Sequence, residues 1–313
     1  MMINNLSPVI LFVYNRPHHT KKTVEALQKN ELASETKLFI YSDDANDNDN
    51  RAGVDRVREY IKTISGFKTV IINERAKNFG LANSIIDGVG TVVKEYGKVI
   101  VLEDDLVTSP CFLSFMNKAL ETYKNDEKVM HISGSVYPID NRKLDDTYFI
   151  KPASCWGWGT WERAWSYYRK DVDYYLKTFD REMIYDFNLN NSYKYFFDQI
   201  KLNKKGKLDT WAIFWYASIY LNKGLSLHPK ESYVQNIGHD GEGENCEEST
   251  YYEVELSNRM PKDFTRNFIE NKEARASFEA FFNSIRAPLH RRIINKISRM
   301  IFGRNLLKLK SYK

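Results

Sequence analysis

Residues 99–110 read VIVLEDDLVTSP, in which four apolar residues run directly into three acids, Glu103, Asp104 and Asp105. A short apolar run rich in β-branched residues is typical of a buried strand. Three carboxylates close together repel one another unless a cation neutralises them. The stretch therefore predicts a buried strand that brings an acidic cluster to one edge of a sheet.

The chain around this strand alternates between short apolar runs and segments with helical periodicity. Strands are predicted over residues 8–14, 37–41, 68–72, 98–102 and 128–133, and helices over residues 18–28, 53–65, 81–96, 111–125 and 213–222. Such alternation, with near-continuous apolar strands, indicates an α/β fold with a mostly parallel sheet and helices on both faces.

Polar residues follow the first two predicted strands as well as the fourth. Asn15 and Arg16 come after the first strand, and Asp43 and Asp44 come after the second. In open α/β sheets, ligands bind outside the carboxyl ends of the strands. We therefore expect Arg16, one of Asp43 and Asp44, and the acidic cluster to line a single cleft.

The acidic cluster has the chemistry of a divalent-cation site. Carboxylate oxygens favour Mg²⁺, Mn²⁺ or Ca²⁺ over zinc. If one or two carboxylates bind, the cation keeps positions open for phosphate oxygens. The cleft would then suit a nucleotide diphosphate, whose departure the metal assists. The alternative is that these acids cap the next helix or face water.

Four strings carry a resemblance to a known family. They are VILFVYNRP at residues 9–17, YSDD at 41–44, NFGLANSI at 78–85 and VLEDDLVTSPCFLSFM at 101–116. The chain resembles nucleotide-sugar glycosyltransferases of the GT-A fold, and more narrowly the bacterial relatives of N-acetylglucosaminyltransferase I. The resemblance continues more weakly through GWGTW, LDTWAIFWY and NIGHDGEG. It implies a Rossmann-like sheet of the GT-A type.

The resemblance also implies roles for the residues near the donor. Asp105 resembles the metal ligand, for Mn²⁺ or Mg²⁺. Glu103 and Asp104 resemble residues that meet the donor's sugar and ribose. Arg16 and Asp44 resemble the family's contacts to the nucleobase end of the donor, with Asn78 nearby and Asp43 as the other donor-binding candidate.

The acceptor side is implied by the later strings. Asp209 is similar in placement to the family's catalytic base, with Asp240 and Glu242 in reserve. His239 is a candidate second metal ligand. The tract CWGWGTWERAW at 155–165 holds four of the six Trp. It predicts either core packing or a platform on which an acceptor sugar stacks, with Trp156 and Trp158 the candidates beside Asp240.

The implied reaction is a metal-dependent, inverting transfer of a sugar from a nucleotide diphosphate to a glycan or lipid-linked acceptor in bacterial surface polysaccharide synthesis. General-base assistance of this kind contributes ~10²–10⁴ in rate. Residues 1–125 would form the donor half, residues 126–250 the acceptor and catalytic half, and residues 251–313 a helical extension.

The charge and composition of the chain limit the kinds of partner that it can bind. Nine of the 46 Lys and Arg residues lie in residues 286–313, so the remaining 37 are outnumbered by 41 acids, unlike in a nucleic-acid binder. Within this tail, apolar residues at i, i+4 spacing between basic ones predict either a helix on an anionic membrane surface or one packed on the domain.

The sequence also bears on location. It has no apolar run of ~18 residues, no signal peptide and three scattered Cys. We therefore expect a cytoplasmic protein, peripheral on the inner face of the plasma membrane.

Three rival functions remain open at this point. A sugar-phosphate nucleotidyltransferase should carry a Gly-rich phosphate loop after its first strand, where this chain has Asn15, Arg16 and Pro17. A glycoside hydrolase would use paired carboxylates without a metal. A catalytically inactive sugar- or lipid-binding module would not need the acidic cluster.

Overall fold

A computed structural model of the chain describes residues 5–240 and 250–285. The strands are β1 (Val9–Val13), β2 (Lys37–Ser42), β3 (Thr69–Glu74), β4 (Lys98–Glu103), β5 (Leu106–Thr108), β6 (Val129–Ser133), β7 (Thr147–Ile150), β8 (Trp158–Trp161), β9 (Leu225–Pro229) and β10 (Val234–Asn236). The helices are α1 (Pro17–Gln28), α2 (Asn48–Ile61), α3 (Leu81–Tyr96), α4 (Phe112–Thr122), α5 (Glu162–Trp165), α6 (Val172–Thr178), α7 (Arg181–Phe187), α8 (Tyr195–Lys204), α9 (Ala212–Leu221) and α10 (Lys272–Ser284).

Eight of these strands form one sheet in the order β3-β2-β1-β4-β8-β6-β9-β7, while β5 and β10 pair separately. Strands β3, β2, β1 and β4 are parallel to one another, and β6 and β9 point the same way because β8 is antiparallel to both β4 and β6. Only β7 and β8 of the sheet run in the opposite direction. The predicted α/β fold with a mostly parallel sheet is thus confirmed.

Helices cover both faces of the sheet, as predicted. In β1, Val9, Leu11 and Val13 pack on the face covered by α1, α2 and α4. The alternate residues Ile10 and Phe12 pack on the opposite face, against α3 and α9. Because successive strand side chains point to opposite faces, this two-sided burial explains why β1 is apolar at every position.

The order of the strands reverses at β1. From β1 the chain moves to β2 and β3 on one side and returns to β4 on the other. Phe12 of β1 lies opposite Glu103 of β4, so the loops that leave these two strands are neighbours. A crevice at such a switch point is where doubly wound sheets bind ligands.

The Trp-rich tract contributes a strand that the sequence did not predict. Strand β8 inserts antiparallel between β4 and β6, and Trp158 becomes fully buried. Its indole stacks on Trp211 at 5.1 Å between centroids and on His131 at 5.4 Å. Burial lowers the pKa of His131 to about 3, so this histidine is neutral near pH 7.

Strands β6 to β9 of the second predicted half extend the sheet of the first half, while β10 pairs with β5 of the first half. Of the predicted helical extension, residues 251–271 form no helix and the described helix is α10, whose Phe278 and Phe282 pack against Tyr148 and Ile150 of β7. The basic tail, residues 286–313, lies outside the described residues.

Candidate active site

The acidic cluster lies at the carboxyl end of β4 and is largely buried. Glu103 is the last residue of the strand, and Asp104 and Asp105 lead into β5. Asp104 is 4% exposed and Asp105 9% exposed, while Glu103 is partly exposed. The next helix, α4, is preceded by Cys111 as its N-cap. The acids therefore neither face open water nor cap that helix.

Arg16, which follows β1, pairs with this cluster. Its Nη2 donates to Asp104 Oδ1 and to Asp105 Oδ2, the latter at 2.9 Å. The backbone supports the same arrangement, because Thr23 Oγ1 of α1 donates to the carbonyl oxygen of Asp104 at 2.8 Å. The two strand ends at the switch point are thus joined by a partly buried ion pair.

One guanidinium does not balance three carboxylates, of which those of Asp104 and Asp105 are buried. Desolvation, together with repulsion from Asp105 and Asp104, raises the pKa of Glu103 to about 8 despite the attraction of Arg16. Desolvation also raises the pKa of Asp104 to about 6, against the opposing attraction of Arg16. The cluster therefore lacks positive charge, and an added cation would favour its fully ionised form.

A loop formed by residues 236–240, here called the covering loop, closes over one side of the cluster. Its Ile237 N–H donates to the carbonyl oxygen of Asp105 at 2.9 Å. A Cβ added at Gly238 would overlap Asp105 Oδ2 and lie 2.9 Å from its Cγ, so only glycine fits against this carboxylate. The covering loop thereby packs directly against the Asp105 side chain.

The far end of the covering loop is attached to α1. Asp240 Oδ2 lies 2.8 Å from His19 Nε2, and His19 is only 4% exposed. We expect a histidine at a helix start to face solvent, and for His19 that prediction is wrong. The sequence carries no local signal for this contact, because the partners are separated by 221 residues.

Aromatic rings gather beside the covering loop. The His239 ring stacks on Tyr252 at 4.7 Å and meets Trp156 edge-on at 5.5 Å, and Trp156 also packs edge-on against Tyr137 at 5.4 Å. Trp156 is half-buried. Trp158 has no exposed face on which a sugar could stack, so we reassign it from acceptor platform to core.

The polar residues after β2, together with Asn78, are here called the rim and are held in place by hydrogen bonds and ion pairs. The Asp43 carboxylate accepts the N–H groups of Phe79 and Gly80, both at 2.8 Å, and so holds the loop before α3. Asp44 pairs with Arg51 at 2.7 Å and Arg58 at 3.4 Å, and the hydrogen bond from Arg51 is the main reason that its pKa is lowered. Asn78 Nδ2 donates to the Asp44 carbonyl oxygen at 2.6 Å.

Asp209 precedes α9 and is connected to the sheet through its neighbour Trp211. The Asp209 side chain is 65% exposed and forms an ion pair with Lys170. Trp211 stacks on Trp158, which lies opposite Val101 of β4, two residues before Glu103. The Asp209 side chain is thus accessible to solvent. It lies two residues before Trp211, whose stacking partner Trp158 pairs with the strand that carries the acids. Glu242 lies outside the described residues.

Within the described parts of the chain, no three His, Cys, Asp or Glu side chains are grouped so that they could hold a metal ion together. The donor set instead fits a cation held by one or two carboxylates, with phosphate oxygens and water completing its shell. The same part of the chain contains no helix both long and apolar enough to span a bilayer.

Comparison with known proteins gives structural similarities alone. No protein-family profile matches the chain, and no curated protein sequence matches it either. A mannosyltransferase from Pyrobaculum calidifontis, PcManGT in complex with GDP-Man and Mn²⁺, aligns over 71% of this chain and 70% of its own, with 8% identity and a TM-score of 0.41.

The S. aureus protein TarS is similar to a comparable degree. Its crystal structure aligns over 73% of this chain and 36% of its own, with 11% identity and a TM-score of 0.38. Residues 1–349 of TarS in complex with UDP-GlcNAc align over 72% of this chain and 57% of their own, with 10% identity and a TM-score of 0.38. Similarities at this level do not assign a substrate or a reaction to this chain.

Proposed function

We propose that this chain is a metal-dependent, inverting nucleotide-sugar glycosyltransferase of the GT-A type, related to N-acetylglucosaminyltransferase I. The observation that carries the proposal is the largely buried acidic cluster at the switch point between β1 and β4, whose charge the single guanidinium of Arg16 balances only in part. A buried excess of negative charge is costly unless a ligand compensates it. A divalent cation bound with a nucleotide diphosphate would do so.

In this proposal, the residues at and near the cluster contact different parts of the donor. Asp105 would hold Mn²⁺ or Mg²⁺, which when bound neutralises charge developing on the leaving diphosphate. Glu103 and Asp104 would accept hydrogen bonds from sugar and ribose hydroxyls. The rim formed by Asp44 and Asn78, braced by Asp43, would meet the nucleobase end.

The acceptor would enter from the side of the covering loop and α9. The exposed carboxylate of Asp209 would take the proton of the attacking hydroxyl, and attack opposite the leaving group inverts the anomeric centre. Trp156, with Asp240 beside it on the covering loop, would position the acceptor sugar by stacking. His239 stays a candidate second metal ligand.

A lipid-linked acceptor and attachment to the inner face of the plasma membrane rest on the sequence of the basic tail, residues 286–313. Such an acceptor would suit bacterial surface polysaccharide synthesis. The tail's basic and apolar spacing is that of a helix on an anionic surface.

The proposal is tested by thermal-shift measurements with a panel of nucleoside diphosphates, their sugar derivatives and nucleoside triphosphates, each with and without Mn²⁺. At least one nucleotide diphosphate sugar is expected to raise Tm only when Mn²⁺ is present. Ligand at 100 times its Kd stabilises by about 2.7 kcal/mol. Stabilisation by triphosphates alone would indicate nucleotidyl transfer, and the absence of any metal-dependent stabilisation would contradict the proposal.

The covering loop provides a second, structural test of the cluster. Gly238→Ala places a Cβ against Asp105, so the carboxylate or the loop must shift, and overpacking of this kind costs about 1–3 kcal/mol. We expect at least ~10-fold weaker Mn²⁺-dependent nucleotide binding, the equivalent of about 1.4 kcal/mol. Isothermal titration calorimetry of the folded variant measures this.

The matched control is Gly90→Ala in α3, where an added Cβ would meet its nearest neighbour, Trp165 Nε1, at 3.8 Å. Alanine in a helix interior is favoured over glycine by about 1 kcal/mol, so this variant should gain stability and bind normally. If Gly238→Ala binds Mn²⁺ and nucleotide as tightly as the wild type does, packing of the covering loop against Asp105 has no effect on the metal site.

A further inference from the structure

The backbone of Arg16 is held at the start of α1, beside the acidic cluster. Arg16 is the N-cap residue of α1, followed by Pro17. Its carbonyl oxygen accepts from Thr20 N–H at 3.0 Å and from Thr20 Oγ1 at 2.9 Å. Its side chain is 20% exposed. The backbone of Arg16 is therefore fixed, and only its side chain is able to change partner.

A single nitrogen of this side chain serves both aspartates. Nη2 contacts Asp104 Oδ1 and Asp105 Oδ2 together. Burial lowers the pKa of Arg16, but the two carboxylates outweigh that effect and leave the pKa above its ordinary value. Among the basic side chains of residues 5–240 and 250–285, Arg16 is the one that forms an ion pair with this cluster.

The same oxygen of Asp105 faces the covering loop at Gly238, the position where no Cβ fits. Asp105 Oδ2 is therefore crowded by the guanidinium and by the backbone of Gly238. A divalent cation at this carboxylate would meet a like charge a few ångströms away, and such juxtaposed charges repel strongly when partly buried. A cation bound at Asp105 Oδ2 would therefore compete with Arg16 in its present position.

We infer that Arg16 is the counter-ion of the acidic cluster in the absence of ligands and couples the binding of metal to that of the nucleotide diphosphate. The inference rests on the proposed function and deepens it. A divalent cation alone has to displace Arg16 from Asp105 and leaves the guanidinium with Asp104 as its remaining anionic partner. When the diphosphate binds too, the displaced guanidinium has a new anionic partner, so each ligand strengthens the binding of the other.

The test measures Mn²⁺ affinity by electron paramagnetic resonance, with and without UDP or GDP, in the wild-type chain and in Arg16→Gln. In the wild type, the nucleotide is expected to tighten Mn²⁺ binding by at least ~10-fold, within the usual range of coupling. Arg16→Gln should bind Mn²⁺ alone more tightly than the wild type, and the nucleotide should add less than ~3-fold. Without metal its Tm should fall, and Mn²⁺ should restore it.

Two further variants keep the result interpretable. Arg142→Gln removes an exposed arginine that pairs with Asp140, and should change neither affinity. Arg16→Lys keeps the charge and should retain part of the coupling even if Arg16→Gln folds poorly. Unchanged Mn²⁺ affinity and coupling in Arg16→Gln would overturn this inference alone. A wild-type chain that binds neither Mn²⁺ nor nucleotide would overturn the proposed function and this inference with it.

Discussion

Asp105→Ala is expected to abolish metal-dependent binding of the donor. Replacing even a group that only orients a metal ligand costs 10–100-fold in metal affinity, so loss of the ligand itself should cost at least ~10²-fold. The fold should survive, because removing Asp105 also removes repulsion that raises the pKa of Glu103. Calorimetric titration of Mn²⁺ and nucleotide diphosphate into the folded variant measures the effect.

Two companion variants separate charge from shape at this position. Asp105→Asn keeps the size of the side chain and removes its charge, and should lose Mn²⁺ binding to a similar degree. Asp49→Asn changes an exposed acid of α2 and should bind as the wild type does. Full Mn²⁺-dependent binding by both Asp105 variants would remove the metal role from this residue.

Asp209→Asn is expected to leave donor binding intact and to lower turnover by at least ~10²-fold, the lower limit of what a general base contributes. The amide has nearly the same shape as the carboxylate but cannot accept the hydroxyl proton. Because the side chain is 65% exposed and is not packed in the core, stability should change little. Turnover at saturating donor, compared with the donor Kd, distinguishes the two effects.

The matched control for Asp209 is Asp173, another exposed acid paired with a lysine, Lys204. Asp173→Asn should keep normal turnover. If Asp209→Asn also keeps near-normal turnover, the base lies elsewhere, and Asp240 on the covering loop is the next candidate. A parallel loss of donor affinity and turnover would instead indicate a binding role.

The fold could be predicted from the sequence where the local residue pattern matches the environment of those residues in the folded chain. Helix α3 is found at the predicted bounds, 81–96, because an apolar stripe and Gly97 after its last residue are both local signals. Helix α2 begins at Asn48 rather than at the predicted residue 53, since Asp47 accepts from Asn50 N–H as its N-cap. Its first turn is polar and so lies outside the hydrophobic pattern.

Strand β8 could not be predicted from the sequence in the same way. Its residues Trp158 to Trp161 include a glycine and lack alternation of apolar and polar residues, because both faces of the sheet are covered there. The prediction that Trp158 could serve an acceptor failed for the same reason. Density of aromatic residues does not tell a core from a platform, and only the position between β4 and β6 decides.

The sequence by itself determined that apolar strands end in acids and that β1 and β4 are strands of one α/β sheet, because hydrophobic periodicity and polar strand ends are properties of neighbouring residues. Only the tertiary structure decided that Arg16 meets Asp104 and Asp105, 88 and 89 residues away, and that the covering loop meets α1 through His19 and Asp240. Those contacts depend on strand order and register, which are set by packing of the whole sheet and leave no mark on local sequence.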